Sequence, residues 1–155
     1  MRVGLGYDAH AFVAGRPLFL GGLRIAHEFG LLGHSDGDVL LHAISDAILG
    51  AAGAGDIGEH FPNTDKGIEG IESSRILARS VELARVGGYE IVNVDAVIVC
   101  EAPKIRQYRE EMRASIARIM AVDATRVSVK GKTTEGMGFT GRREGIESFA
   151  VCLLE

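Results

Sequence analysis

Tyr89-Glu-Ile-Val-Asn-Val-Asp-Ala-Val-Ile-Val-Cys100 is the stretch that decides the fold class of this 155-residue chain. It is rich in β-branched residues, bounded by glycines on one side and a proline on the other, and reads as a largely buried strand. Before it, Ser73 to Val86 carries Ile76, Leu77, Val81 and Ala84 at helical spacing and stops at Gly87-Gly88. After it, Pro103 opens a second helical stripe of Ile105, Tyr108, Met112, Ile116 and Ile119. Helix, strand, helix in succession points to a mixed α/β architecture.

The flanks extend that pattern. Val3, Leu5 and Tyr7 alternate with Arg2, Gly4, Gly6 and Asp8, a period-two strand. Pro17 to Ile25 reads as a hairpin around Gly21-Gly22. Ser35 or Asp36 caps a helix running to about Ala52, with Val39, Leu40, Ala43, Ile44, Ala47 and Ile48 on its apolar stripe. Gly53 to Ile71 is a long polar loop, of the kind that is functional or mobile. Arg126 to Lys132 and Ile146 to Leu154 supply the last strands, separated by the glycine-rich segment 133–145. The expected fold is α/β, in a two-layer α+β arrangement: a single domain over residues 1–155, a mixed sheet, and helices packed on one face. So apolar a sheet would leave its other face uncovered, and self-assembly is the simplest cover.

Composition narrows the function classes. Hydrophobic residues make up 46% and charged residues 25%, ordinary for a globular protein. The net charge of −4 offers no global attraction to nucleic acid or an anionic membrane. No apolar run approaches the roughly 18 residues of a membrane span, and the N-terminus lacks a secretory apolar segment. Cys100 and Cys152 sit in apolar runs and read as buried free thiols, which suits a cytoplasmic setting. Glycine is frequent, 21 residues against 3 prolines, and falls at loops. That distribution suggests a site built largely from main-chain groups.

Chemistry concentrates at Asp8-Ala-His10 and His42. On a strand, Asp8 and His10 point to the same side, and His42 needs only one helix face turned toward that strand end. A carboxylate and two imidazoles are ligands that zinc accepts, and three protein ligands leave a fourth position open. Hydrogen-bonded surface or core residues would read the same way in isolation; the company of His34, Asp36, Asp38 and Asp46 favours the metal. Asp46, one turn from His42, suits either a carboxylate accepting the second ring N–H of His42 or an ordinary solvated side chain.

Other motifs fail. Gly4-Leu-Gly6 lacks the third glycine of a dinucleotide fingerprint, Asp36-Gly-Asp38 lacks the other oxygens of an EF-hand, and no P-loop or nucleophile elbow is present. Lys130-Gly-Lys132-Thr133-Thr134-Glu135 remains, joining cations, hydroxyls and one carboxylate after a strand, a set that suits phosphate and a hard divalent cation.

Taken together, Gly-Tyr-Asp8-Ala-His10, Gly33-His34-Ser35-Asp36-Gly-Asp38 with His42, Gly55-Asp56-Ile57-Gly58, Phe61-Pro-Asn-Thr-Asp65, Glu101-Ala-Pro-Lys104, Thr133-Thr-Glu135 and Gly138-Phe-Thr-Gly-Arg142 resemble the 2-C-methyl-D-erythritol 2,4-cyclodiphosphate synthases of the non-mevalonate isoprenoid pathway. The likeness runs over essentially the whole chain. It implies a metal-dependent lyase that converts 4-diphosphocytidyl-2-C-methyl-D-erythritol 2-phosphate to the cyclic diphosphate and CMP, the substrate's own 2-phosphate attacking the β-phosphorus.

The same resemblance implies roles for residues. Zn²⁺ would sit on Asp8, His10 and His42, and a second cation, Mg²⁺ or Mn²⁺, on Glu135. His34 and Thr133 match transition-state-stabilising positions. Ser35 would bind a phosphate, and Asp56 with Ile57 and Gly58 the erythritol hydroxyls, with Phe61 and Asp65 in a loop over the substrate. Cys100, Ala102, Pro103, Lys104, Ile105 and Arg106, with Lys132, Thr133 and Thr134, would form the cytidine pocket. The family is homotrimeric with active sites between subunits. Val3, Tyr7 and Phe139 would line the threefold axis, where Arg142 would meet the phosphate of an isoprenoid diphosphate; an apolar trimer core explains the same residues without a ligand.

Two positions depart from the family's pattern. Lys132 replaces a small hydroxyl residue and either adds a cation near the nucleotide phosphates or crowds the pocket. Arg143 replaces a glycine and would strengthen anion binding on the axis. Two readings compete with the synthase: a zinc-dependent phosphohydrolase, which would need a base with a path to metal-bound water, and a non-enzymatic trimeric ligand-binding protein.

Overall fold

The computed structural model describes residues 1–62, 64 and 69–155. Asp65 of the expected substrate loop lies outside them.

Two long strands organise the chain. β1 spans Arg2–Ala14 and pairs antiparallel with β7, Gly145–Leu154, from Arg2 opposite Leu154 to Ala11 opposite Gly145. The strand from the fold-deciding stretch, β5 (Ile91–Val99), pairs with the other edge of β7 and runs parallel to β6 (Val127–Lys132). β4 (Phe29–Leu31) adds to the far side of β1, giving the order β4-β1-β7-β5-β6. The expected hairpin forms as β2 (Leu18–Leu20) and β3 (Leu23–Ile25), a separate two-stranded piece turning at Gly21 and Gly22, both at positive φ. The sheet is mixed, as expected, with helices against one face.

Helix α1 (Val39–Ala52) lies on β1 and β7, while α3 (Ser73–Val86) covers its outer side. It is therefore buried on more than the single expected stripe: Leu41, Ser45 and Leu49 are enclosed along with Val39, Leu40, Ala43, Ile44, Ala47 and Ile48. Each large aliphatic side chain so enclosed stabilises by roughly 1.5–3 kcal/mol. The approach of α1 to β1 is closer than a side chain allows. A Cβ at Gly4 would overlap the Ala47 carbonyl, and one at Gly6 the Ala43 carbonyl. Those bare strand positions put Asp8, two residues beyond Gly6, within reach of His42, one residue before Ala43.

The helix start differs from expectation. Asp38, not Ser35 or Asp36, caps α1: its carboxylate accepts from Leu41 N at 3.1 Å and from the main-chain N–H groups of Gly21 and Gly22. Asp36 instead faces the start of α3, where Glu72 supplies no side-chain cap. The 53–71 loop contains a one-turn helix, α2 (Ile57–His60), capped by Asp56 through Glu59 N at 3.0 Å. The helix expected from Pro103 is divided into a 3₁₀ turn, Ile105–Gln107, and α4, Arg109–Met120. A second short helix, α5 (Gly138–Gly141), interrupts the segment before β7.

The opposite sheet face is apolar and open. Val3 and Leu5 are each 69% exposed, and Tyr7 lies against Phe149 with ring centroids 4.8 Å apart. Val151, opposite Leu5, continues the patch. No helix among the described residues is long and apolar enough to cross a membrane.

Candidate metal centre and flanking pockets

Asp8 and His10, two apart on β1, and His42 on α1 aim three ligand atoms at one point. Asp8 Oδ2 is 2.8 Å from His10 Nε2 and 2.9 Å from His42 Nδ1. The two ring nitrogens are 3.2 Å apart. Ligands about 2.0–2.1 Å from a tetrahedral ion stand about 3.3 Å from one another, so the triangle accepts such an ion with slight spreading.

The outer nitrogens fix which atoms are available. His10 Nδ1–H donates to the Leu32 carbonyl at 2.6 Å, so Nε2 is the nitrogen that faces inward. His42 Nε2 lies 2.8 Å from Ser73 Oγ and 3.1 Å from Ser35 Oγ, leaving Nδ1 facing inward. Each imidazole is thus oriented by a partner outside the triangle, as metal-binding histidines are. The electrostatics agree. Burial by itself would raise the Asp8 carboxyl, but hydrogen bonds from His10 and His42 outweigh it and hold Asp8 well below the usual carboxylate range. Burial would lower His10, yet its bond to Asp8 prevails and raises it. A divalent cation held there would satisfy the same carboxylate and take the place of the proton.

A cavity of about 470 Å³ opens at the triad. It gathers the expected His34, Ser35, Ile57, Gly58 and Phe61 with the three ligands. Asp56 stands at its margin as the cap of α2. Glu69, Ile71 and Ile76, which carry no motif, complete the wall. Asp46 also lines it, but its carboxylate accepts from Ile57 N at 2.9 Å rather than holding His42; burial pushes this carboxyl up. Ser73 and Asp36 take the role the sequence suggested for Asp46. Arg16, absent from the sequence reading, donates to the carbonyls of Gly33 at 2.8 Å and Ser35 at 2.6 Å, stapling the backbone on either side of His34.

A second cavity of about 420 Å³ lies at the ends of β5 and β6. It brings together Cys100, Pro103, Lys104, Ile105, Arg106, Lys132 and Thr133 as expected, and adds Arg109, Lys130 and Gly131. Five of these carry positive charge and none negative, although Lys130 pairs with Asp95 at 2.6 Å. A Cβ on Gly131 would crowd Ile105, so the bare backbone there lets the strand and the 3₁₀ turn meet. Burial pushes the Cys100 thiol up to about 12, so it is a wall rather than a nucleophile.

The remaining expected residues adjoin this cavity or lie apart. Thr133 Oγ1 donates to Glu135 at 2.6 Å, and Glu135 sits in the left-handed region at φ 54°. Thr134 N donates to Glu101 at 3.0 Å, tying the turn to the Ala102 loop. Phe139 is half-buried on α5, and Arg142 is exposed and paired with Glu144 at 2.9 Å.

Within one chain the two cavities are separate. Ala9, Glu147, Val99 and Lys132 are successive partners across the sheet. Three strand spacings, about 14 Å, therefore part the metal triad from the cationic pocket.

Comparison with known proteins identifies relatives over the whole length. The model of the YgbB family matches residues 1–155. The chain is 54% identical over 154 residues to 2-C-methyl-D-erythritol 2,4-cyclodiphosphate synthase of Geobacillus kaustophilus (strain HTA426), covering 99% of this chain and 98% of that one. It is 54% identical over 155 residues to the protein of the same name from Desulforamulus reducens, covering 100% and 99%. Among solved structures, a CDP-bound 2C-methyl-D-erythritol-2,4-cyclodiphosphate synthase superposes with a TM-score of 0.91 at 36% identity, over 99% of this chain and all of that one. The bifunctional IspDF of Campylobacter jejuni superposes with a TM-score of 0.95 at 41% identity, over 99% of this chain and 42% of that longer one.

Proposed function

The chain belongs to the YgbB family, and on that premise we infer that it is a lyase of isoprenoid precursor biosynthesis. It converts 4-diphosphocytidyl-2-C-methyl-D-erythritol 2-phosphate to 2-C-methyl-D-erythritol 2,4-cyclodiphosphate and releases CMP, with residues 1–155 acting as one synthase domain. The observation that carries the reading in this molecule is the convergence of Asp8, His10 and His42 on one point at the mouth of a cavity.

The substrate brings its own nucleophile. Its 2-phosphate is already ionised near neutral pH and attacks the β-phosphorus, so a new P–O bond forms as the bond to CMP breaks. The protein's work is positioning and charge stabilisation. Zn²⁺ on Asp8, His10 and His42 would supply Lewis-acid polarisation of a phosphate oxygen, and Mg²⁺ or Mn²⁺ at Glu135 would offset charge on the diphosphate.

The chain's own groups do the rest. Asp56, with the main chain at Ile57 and Gly58, holds the erythritol hydroxyls. His34 and Ser35, whose backbone is clamped by Arg16, face the reacting phosphates. Phe61 and Asp65 belong to the segment that excludes water. Thr133, beside Glu135, stabilises the transferring phosphoryl group. The cytidine lies against Cys100, Ala102, Pro103, Lys104, Ile105 and Arg106, with Lys132 and Thr134 at its phosphate end.

We assign a homotrimer, with the metal half of each site supplied by one chain and the nucleotide half by its neighbour. Two features support this: the roughly 14 Å between the half-sites on one sheet and the open apolar face of Val3, Leu5, Tyr7, Phe149 and Val151. The axis, with Val3, Tyr7 and Phe139 around it and Arg142 toward a phosphate, suits an isoprenoid diphosphate. Two buried free thiols suit a cytoplasmic enzyme.

The test uses the purified chain with the diphosphocytidyl substrate, Zn²⁺ and Mg²⁺, following CMP release. His42→Ala is expected to lose at least about 100-fold in turnover. Undiminished CMP release by that variant would remove the triad from the chemistry.

A further inference from the structure

His42 is the ligand whose support is least ordinary. It comes from a helix, and its outer nitrogen meets not a carboxylate or a carbonyl but the hydroxyl of Ser73, at 2.8 Å. Ser73 is fully buried and is the first residue of α3. Its Oγ–H donates in turn to Asp36 Oδ1, and its main-chain N–H donates to Asp36 Oδ2 at 3.1 Å. Asp36 thereby caps α3, whose own N-cap residue, Glu72, makes no side-chain cap bond.

The directions along this chain are fixed by chemistry. An ionised carboxylate only accepts, so the Ser73 proton belongs to Asp36. The Ser73 oxygen then has only lone pairs left for the imidazole, and His42 Nε2 must carry the hydrogen. That leaves His42 Nδ1, the atom 2.9 Å from Asp8 at the point where the ligands converge, as the nitrogen that would bind a metal. Ser35 Oγ stands 3.1 Å from the same ring nitrogen, but it also accepts from Gly37 N at 3.0 Å and has no carboxylate behind it.

We propose that Asp36 and Ser73 form a carboxylate–hydroxyl–imidazole relay that sets the tautomer and orientation of His42 and so tunes the affinity of the centre for its metal. Both are positioning residues. The relay rests on the reading of Asp8, His10 and His42 as metal ligands, and it ties that centre to the N-terminus of α3 and to the backbone of the His34 loop. In that loop Asp36 N donates to the Ile71 carbonyl at 3.2 Å, and Gly70 N to the His34 carbonyl at 2.8 Å. A shift of α3 would thus be felt at His42 through the Ser73 hydrogen bond, without displacing β1.

Zinc titration of the metal-stripped protein against a chromophoric chelator separates the two readings. The parent is expected to bind one zinc per chain and His42→Ala to lose it; zinc retained by His42→Ala would overturn the ligand assignment itself. With the parent binding, Ser73→Ala is expected to raise the zinc Kd roughly 10–100-fold, and Ser73→Thr to restore it to within a few-fold. Asp36→Asn, which keeps an acceptor but removes the charge, is expected to weaken binding less. The Ser73→Ala/Asp36→Asn pair is expected to be non-additive, because without the hydroxyl the carboxylate no longer reaches the ring. Nitrogen-15 spectra of the zinc-loaded protein add a readout that survives if Ser73→Ala folds poorly: in the parent and Ser73→Thr, His42 should be protonated at Nε2 and bound to zinc through Nδ1. A zinc Kd unchanged in Ser73→Ala, or a zinc-loaded His42 bound through Nε2, overturns the relay.

Discussion

Asp46 Oδ1 accepts the main-chain N–H of Ile57 at 2.9 Å, fastening the turn at the start of α2 to the same helix that carries His42. The two lie on one side of α1, so the turn at Ile57 and the ligand triangle share a single rigid support. Asp46→Ala should loosen the turn while leaving the ligand triangle standing. We expect a KM raised about tenfold, from roughly 1.4 kcal/mol of lost positioning, with the zinc Kd changed less than threefold. Steady-state kinetics beside zinc titration distinguish this from a loss of metal.

Gly6 is the point where β1 meets α1, and a Cβ there would overlap the Ala43 carbonyl. Backbone cannot yield as a side-chain end does, so Gly6→Ala should destabilise by about 3 kcal/mol or more. It should also pry Asp8 from His42 and weaken zinc binding. Gly50, in the same helix, faces open space. Gly50→Ala should be stabilising by about 0.5–1 kcal/mol through helix propensity. Urea unfolding of both variants checks the contrast.

Proton and metal compete for one site. In the metal-free protein Asp8 lies below its ordinary 3.8 and His10 above its ordinary 6.5. The Asp8 contribution is present above 3.8 and is lost as pH falls through its lower folded value. The His10 contribution is present below 6.5 and is lost as pH rises through its higher folded value. The metal-free protein therefore gains most from this pair between those values. Zinc must displace the His10 proton, so below the folded pKa of His10 zinc affinity should fall about tenfold per pH unit. Competition titrations across weakly acidic pH measure that slope; a flat profile would contradict it.

Burial holds both thiols, Cys100 and Cys152, up at about 12 against an ordinary 9.0. Raised thiol values mean the unfolded chain gives up protons first, so this contribution is intact below pH 9.0 and is lost progressively toward 12. Alkylating reagents at pH 8 should leave the native protein unmodified and label both cysteines in urea. Rapid native labelling of Cys100 would mean the cationic pocket opens far more than its packing indicates.

Much of this was legible in sequence where a short-range rule applied. Asp8 and His10 share a side because strands alternate, and His42 reaches them because α1 is continuous from Val39. Rules of that kind do not cover long-range partners. Ser35, Asp36 and Asp38 all look like caps, and only the fold decides that Asp38 takes α1 while Asp36 crosses to α3. Ser73 carries no motif, since a serine at a helix start ordinarily serves its own helix. β4 was hidden because three residues, Phe29-Gly-Leu31, are too few to show a period, and their pairing with Phe12 to Ala14 is a tertiary fact. The division of the residues expected to hold nucleotide and metal between two cavities depends on strand order, which spacing along the chain does not encode.

On the proposed function, the substrate's 2-phosphate, not water, attacks the β-phosphorus. Turnover in ¹⁸O-enriched water, with the products read by ³¹P NMR, tests it directly. The expected products are a cyclic diphosphate and CMP, neither carrying ¹⁸O from solvent. A linear phosphate product, or solvent ¹⁸O in either product, would make the centre a hydrolase and contradict it.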